Sequence, residues 1–170
     1  MASHSTLTGA AGEFFVMYRL LRLGLIAALA PDGVPNADLL VSDLGGKQLA
    51  VVQVKSRNPK GGDKGWHMKK KHETLISKNL FYCFVDFPSD PNDLPRTFIV
   101  PSKIVAAVLT ESHRVWLETP GKDDRPHKDT DMRRLLPDYS RIGKSTDQRL
   151  EKYSAGWLNK YLENWDSLFS

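Results

Sequence analysis

Apolar positions recur with helical spacing from residue 9 to residue 23: Val16, Met17 and Leu20 share one side, Arg22 falls opposite, and Gly24 supplies a stop. Leu25 to Ala30 is a short apolar run of strand type, closed by a turn containing Pro31, Gly33 and Pro35. Ala37 to Leu44 and Lys47 to Ser56 flank the pair Gly45-Gly46, so an antiparallel hairpin with a two-residue turn is predicted. Pro59 and the glycines from Gly61 to Gly65 predict an exposed loop. A second helix is expected over Met68 to Lys78, a buried strand over Leu80 to Phe87, and its partner strand over Arg96 to Val100. Pro101 is placed to open a helix over Lys103 to Leu109. Glu118 to Asp131 reads as a surface loop. In Thr146 to Phe169, Tyr153, Trp157, Tyr161 and Trp165 stand four residues apart, which predicts a last helix whose aromatic face packs on the core.

Composition changes this picture little. A chain of 170 residues with 41% hydrophobic and 26% charged residues excludes wholesale disorder, collagen-like repeats and coiled coils. One domain over residues 1–170 is expected, with a core from about 9 to 110 and the loop and helix of 118–170 packed on it. Cys83 has no partner for an internal disulfide and reads as a buried small hydrophobe. The polar start from Met1 to Thr8 has no signal-peptide pattern, and the apolar stretches are interrupted or too short to span a bilayer. The expectation is a cytoplasmic or otherwise intracellular protein with no membrane partner.

Charge becomes informative only when resolved by position. The net charge is +4, yet from Lys55 to Lys78 eight positive residues face Asp63 and Glu73, a local balance of +6 that leaves −2 for the rest. That block holds Lys55, Arg57, Lys60, Lys64, Lys69, Lys70, Lys71 and Lys78 around a glycine-rich loop with Trp66, a composition suited to phosphate-backbone contact without base readout. His67 and His72 are five residues apart, one too many for a shared metal site on a helical turn, and are expected to be solvent-exposed or to make backbone contacts near the nucleic-acid side.

Side chains alternate along a strand, so Gln53 and Lys55 share a face, opposite Val52 and Val54. Counting outward from Gly45-Gly46 sets Asp38 level with Gln53, within the roughly 5 Å of cross-strand neighbours. Glu13 falls on the sheet-facing side of the first helix, where an unpaired carboxylate is costly to bury. A carboxylate, an amide, an ammonium and a second carboxylate are thus expected to converge.

Gly12-Glu13-Phe14 on the first helix, Asn36-Ala37-Asp38-Leu39-Leu40-Val41 on the second strand and Val52-Gln53-Val54-Lys55-Ser56 on the third resemble the PD-(D/E)XK nuclease superfamily over roughly residues 9 to 87. Two departures stand out: Ala37 intervenes between Asp38 and the nearest proline, Pro35, and glutamine replaces the second acid, as in Mrr-like branches. The resemblance implies an α/β restriction-endonuclease-like core, a mixed central sheet flanked by helices in α-β-β-β-α-β order, with an extra C-terminal helix. It implies a Mg²⁺- or Mn²⁺-dependent nuclease acting on DNA more readily than RNA, with a homodimer as the candidate assembly for cutting both strands. Asp38 would be the principal metal carboxylate, Gln53 the second ligand position, Val54 a carbonyl ligand, Glu13 a ligand through water, and Lys55 the catalytic lysine. Arg57, Lys60, Lys64, Lys69, Lys70 and Lys71 would contact nucleic acid. Two alternatives stay open: a nucleic-acid-binding protein of the same fold that has lost catalysis, and an accessory subunit using residues 118–134 and the aromatic C-terminal helix for protein contacts.

Overall fold

The structure, a computed structural model, describes residues 3–31, 33–58, 64–141 and 146–169. Helix α1 runs His4–Arg22 and begins five residues before the predicted start, because Ser3 is an N-cap whose Oγ accepts from the Thr6 N–H. Its inner side buries Gly12, Val16 and Leu20. Four strands follow: β1 (Ile26–Leu29), β2 (Leu39–Ser42), β3 (Gln48–Arg57) and the separate short strand β4 (Trp66–Lys69). After a 3-10 turn over Lys70–Glu73 come β5 (Leu80–Asp86), β6 (Arg96–Pro101), helix α2 (Ser102–Glu118) and β7 (Met132–Leu135).

The central sheet has the order β1-β2-β3-β5-β6, and it is mixed: β3 is antiparallel to β2 and parallel to β5. On one face α1 packs against Leu39, Val41, Val52, Val54, Cys83 and Val85. On the other, α2 and a two-stranded ribbon of β4 with β7 cover Tyr82, Phe84, Phe98 and Val100. Cover on both faces explains why Leu80 to Val85 is a continuous buried run rather than an alternating one. Cys83 is buried there as expected. Among the described residues no helix is long and apolar enough to cross a membrane.

Several expectations need correction. The hairpin turn is wider than two residues: Ser42 pairs with Gln48 after a register shift, and Asp43 Oδ1 accepts from the Lys47 N–H at 2.9 Å. The helix expected over Met68 to Lys78 is instead β4 and one 3-10 turn. Trp66 and Met68 are buried while His67 and Lys69 are exposed, a period of two made stable by pairing with β7, which no local pattern announces. Helix α2 extends nine residues past the predicted Leu109.

The C-terminal helix is replaced by short 3-10 turns at Gln148–Tyr153, Asn159–Tyr161 and Trp165–Phe169. Left-handed Gly156 (φ +89°) and Glu163 (φ +51°) interrupt any helix there. The aromatic residues still serve the core. Tyr153, Trp157 and Tyr161 meet edge to face with centroids 5.4 and 6.2 Å apart, while Trp165 joins the opposite core beneath α1. Glu163 ties this segment down by accepting from the Thr97 N–H and hydroxyl and pairing with Arg19 at 2.7 Å.

Helix α1 lies so close to β3 that a Cβ added at Gly12 would fall on Ser56 Oγ, itself buried without a hydrogen-bond partner. Gly12→Ala is therefore expected to destabilise the fold by about 1–3 kcal/mol in denaturant unfolding. Ser56→Ala should restore part of that loss in the double variant and cost nothing alone, since it deletes an unpaired buried hydroxyl. Additive losses in the double variant would contradict this contact.

Candidate active site

Asn36, in the left-handed region at φ +66°, swings the chain into β2 just before Asp38. The Asp38 N–H donates to the Val52 carbonyl at 2.9 Å, its own carbonyl accepts from the Ala30 N–H, and the register Leu39↔Val52 continues to set Asp38 beside Gln53. Because β2 begins only at Leu39, the ladder leaves the Val54 N–H to another acceptor. Asp38 Oδ2 takes it at 2.6 Å and also accepts from Gln53 Nε2 at 2.9 Å. Gln53 is 7% exposed, and with its amide nitrogen committed to Asp38 its oxygen is the group left for a ligand.

Two residues on, half-buried Lys55 faces the same side as Gln53. Burial pushes its ammonium below the usual range; Asp38 and Glu13 pull the other way, and Lys71 and Lys69 add to the lowering. Glu13 is half-buried on α1 beside the close contact at Gly12. Asp38 and Gln53 meet directly, and Lys55 shares the face of Gln53.

A cleft of about 850 Å³ opens in front of Gln53 and Lys55, lined also by Asn36, Lys69, Lys71 and His72. Asp38 and Glu13 lie outside its lining, at the β2 and α1 side of Lys55. Lys71 Nζ donates to Asn36 Oδ1 at 2.8 Å and so bridges the 3-10 turn to the entry of β2.

The other basic residues divide. Lys64, Lys69, Lys70, Lys71 and Lys78 are exposed, although Lys70 is paired with Asp129 at 2.9 Å. Arg57 does not join them. Its guanidinium binds Asp86 at 2.7 and 2.8 Å and the Lys64 carbonyl at 2.6 Å, and lies 4.2 Å from the Trp66 ring centroid. Burial would raise the Asp86 carboxyl, but hydrogen bonds from Arg57 and Arg96 outweigh it and hold the group below the usual range. Arg57 is a clasp between β3, β5 and Trp66. Lys60 lies outside the described residues.

Two groups escaped the sequence. His67 is exposed as expected, but His72 is 3% exposed, with Nδ1 2.7 Å from the Tyr82 hydroxyl and the two rings edge to face. The available signal was Tyr82, whose hydroxyl in a buried apolar strand requires a partner. Arg133, also 3% exposed, uses all its donors on Glu73, Asp129 and the carbonyls of Thr130 and Met132. Nothing in the loop-like sequence around it marks a buried guanidinium.

No protein-family model matches the chain, and no curated protein matches it. Among solved structures it is similar to a bacterial homing endonuclease, I-Ssp6803I, with a TM-score of 0.50 and 13% identity, over 99% of this chain and 93% of that one. At this identity the likeness is one of fold: the mixed α/β architecture is shared along nearly the whole chain.

Burial, together with Lys55, Lys71 and Lys69, depresses the His72 pKa to about 4, against about 6.5 when solvated. As pH falls the unfolded chain takes up that proton first. The stability this histidine confers is complete above about pH 6.5 and is lost as pH falls through 4, by an amount on the order of 3 kcal/mol. His72→Gln keeps a polar partner for Tyr82 without titrating. The stability gap between wild type and this variant should narrow from pH 7 to pH 4 in urea unfolding, and a constant gap would refute the assignment.

Proposed function

We propose that the protein is a metal-dependent nuclease that hydrolyses phosphodiester bonds in DNA, a PD-(D/E)XK enzyme with glutamine in the second acidic position. The observation that carries this reading is the locked pair Asp38–Gln53 at the open end of the β2–β3 ladder, with Lys55 two residues on and facing a cleft walled by Lys69 and Lys71. The shared fold with a homing endonuclease supports it.

The oxygens at hand suit a hard cation. Among the described residues no three His, Cys, Asp or Glu side chains gather as a metal cluster. An ion here would rest on Asp38, the Gln53 amide oxygen, the Val54 carbonyl and a water held by Glu13, the oxygen-rich and partly hydrated surroundings that Mg²⁺ or Mn²⁺ accepts. When bound, such an ion supplies Lewis acidity to the scissile phosphate and acidifies its water.

The chain's own residues do the rest. The two donors on Asp38 Oδ2 fix the carboxylate's orientation before any ligand arrives. Lys55, partly desolvated, directs its ammonium to the attacking water and to the charge that develops on the phosphoryl oxygens. Lys64 and Lys71 contact the neighbouring phosphates. Water oxygen bonds to phosphorus, the bond to the leaving oxygen breaks, and that oxygen takes up the proton.

A second reading has its own support. Gln53 provides one negative charge fewer than a carboxylate and already donates to Asp38, as in a protein that keeps the fold and binds nucleic acid without cutting it.

Incubation with supercoiled and linear DNA plus Mg²⁺ or Mn²⁺ tests the proposal. Cleavage is expected, with Lys55→Ala and Asp38→Ala each lowering it by about 100-fold or more. Cleavage surviving both substitutions overturns the assignment of the site, and salt-sensitive binding without cleavage establishes the second reading. Gln53→Glu sets a second carboxylate against Asp38. Without metal its thermal midpoint should fall below wild type, and Mn²⁺ should raise that midpoint by more than it raises the wild-type value. Equal responses to Mn²⁺ would mean that position 53 is not a ligand.

A further inference from the structure

The β4–β7 ribbon has two chemically distinct faces. Its inner residues Trp66, Met68, Arg133 and Leu135 are buried, the three apolar ones against α2 and the central sheet. Its outer face presents His67 opposite Arg134 and Lys69 opposite Met132, all exposed. Cross-strand neighbours of this kind are about 5 Å apart, so these side chains form one compact platform. Three are hydrogen-bond donors or cations and the fourth is flexible and apolar; no carboxylate stands among them. His67, Lys69 and Met132 also line the cleft that holds Gln53 and Lys55, with Asp131 at the ribbon's foot.

Resting on the nuclease reading above, we infer that the outer face of this ribbon enters the major groove of duplex DNA and reads base edges beside the cut site. The dimensions agree. Two strands about 4.8 Å apart, with their side chains, fit a groove about 12 Å wide and not one about 6 Å wide. The charge is complementary to DNA, and the inner face is fixed by packing, so the platform is rigid. The residue types match what the groove offers: Arg134 and Lys69 donate to guanine O6 and N7, and Met132 meets a thymine methyl. This assigns part of the basic block to base readout, where its composition alone suggested backbone contact.

The test is binding selection from a randomised duplex library, performed with the full chain carrying Lys55→Ala so that cleavage plays no part. Enriched sequences with guanine at a fixed position are expected. Arg134→Ala should relax that position, costing roughly 5- to 150-fold on the preferred duplex and little on others. Lys64→Ala, outside the ribbon, should weaken all duplexes alike and reduce the salt slope. The inference is overturned if no sequence is enriched, or if Arg134→Ala weakens every duplex equally, or if it changes nothing while circular dichroism shows the fold intact. Failure of the nuclease reading is recognised separately, by Lys55→Ala leaving cleavage unchanged.

Discussion

The cleft in front of Gln53 and Lys55 depends on the parallel pairing of β3 with β5. Antiparallel neighbours can be joined by a tight turn, but a parallel neighbour can be reached only by carrying the chain back across one face of the sheet. The segment between Arg57 and Leu80 makes that connection, and it carries the basic block apart from Lys55 and Arg57. It passes over the face on which Gln53 and Lys55 project, so the lysines of the crossing become the wall opposite the lysine of the strand. In place of the usual crossover helix, the described residues of the segment form one strand and one 3-10 turn. The strand finds its partner in β7, more than sixty residues later, and the pair becomes a ribbon rather than a rod.

The other side of β3 ends the ladder where chemistry can use it. A β2 strand longer by two residues would satisfy the Val54 N–H with backbone and leave Asp38 an ordinary strand residue. Because Asn36 turns the chain away, the carboxylate replaces the missing carbonyl. Structural and chemical roles are joined here: the hydrogen bonds that terminate the sheet also orient the acid. Lys55 then sits between opposing influences, desolvation and two lysines on one side and two carboxylates on the other. A group so balanced responds strongly to any change in local charge, as the arrival of a cation or a phosphate would be.

What could be read from the chain depended on how local the determinants were. The position of Asp38 beside Gln53 followed from counting along one hairpin, and the sharing of a face by Gln53 and Lys55 from strand alternation alone. Both hold although the turn is wider than expected, because the one-residue register shift lies between Val41 and the turn and leaves the pairs from Leu39↔Val52 to Val41↔Ala50 in the expected register. The half-buried setting of Glu13 on α1 was legible from helical spacing. The misreadings have a common cause in long-range pairing. Residues 68–78 have the composition of an exposed helix, and only β7 makes β4 a strand. The aromatic spacing from Tyr153 to Trp165 was correctly taken as core, but left-handed Gly156 and Glu163 break the backbone that helical spacing assumed. Arg57 looked like one more surface cation, and its commitment to Asp86 became visible only once β3 and β5 lay side by side.

The buried guanidinium of Arg133 shows how the ribbon and the cleft are held as one body. A charge so deeply buried is tolerable only with its donors satisfied, and here each is: two carbonyls from its own segment, Asp129 nearby, and Glu73 from the 3-10 turn. Glu73 is two residues from Lys71, which reaches across the cleft to Asn36, and Asn36 is two residues from Asp38. Asp129 in turn holds Lys70 and His113, and these partners keep its carboxyl well below the usual range. From β7 to the entry of β2 run two polar contacts, Arg133 with Glu73 and Lys71 with Asn36, joined through the backbone of the 3-10 turn. Ribbon and cleft wall are thus tied to each other through Arg133 and Glu73.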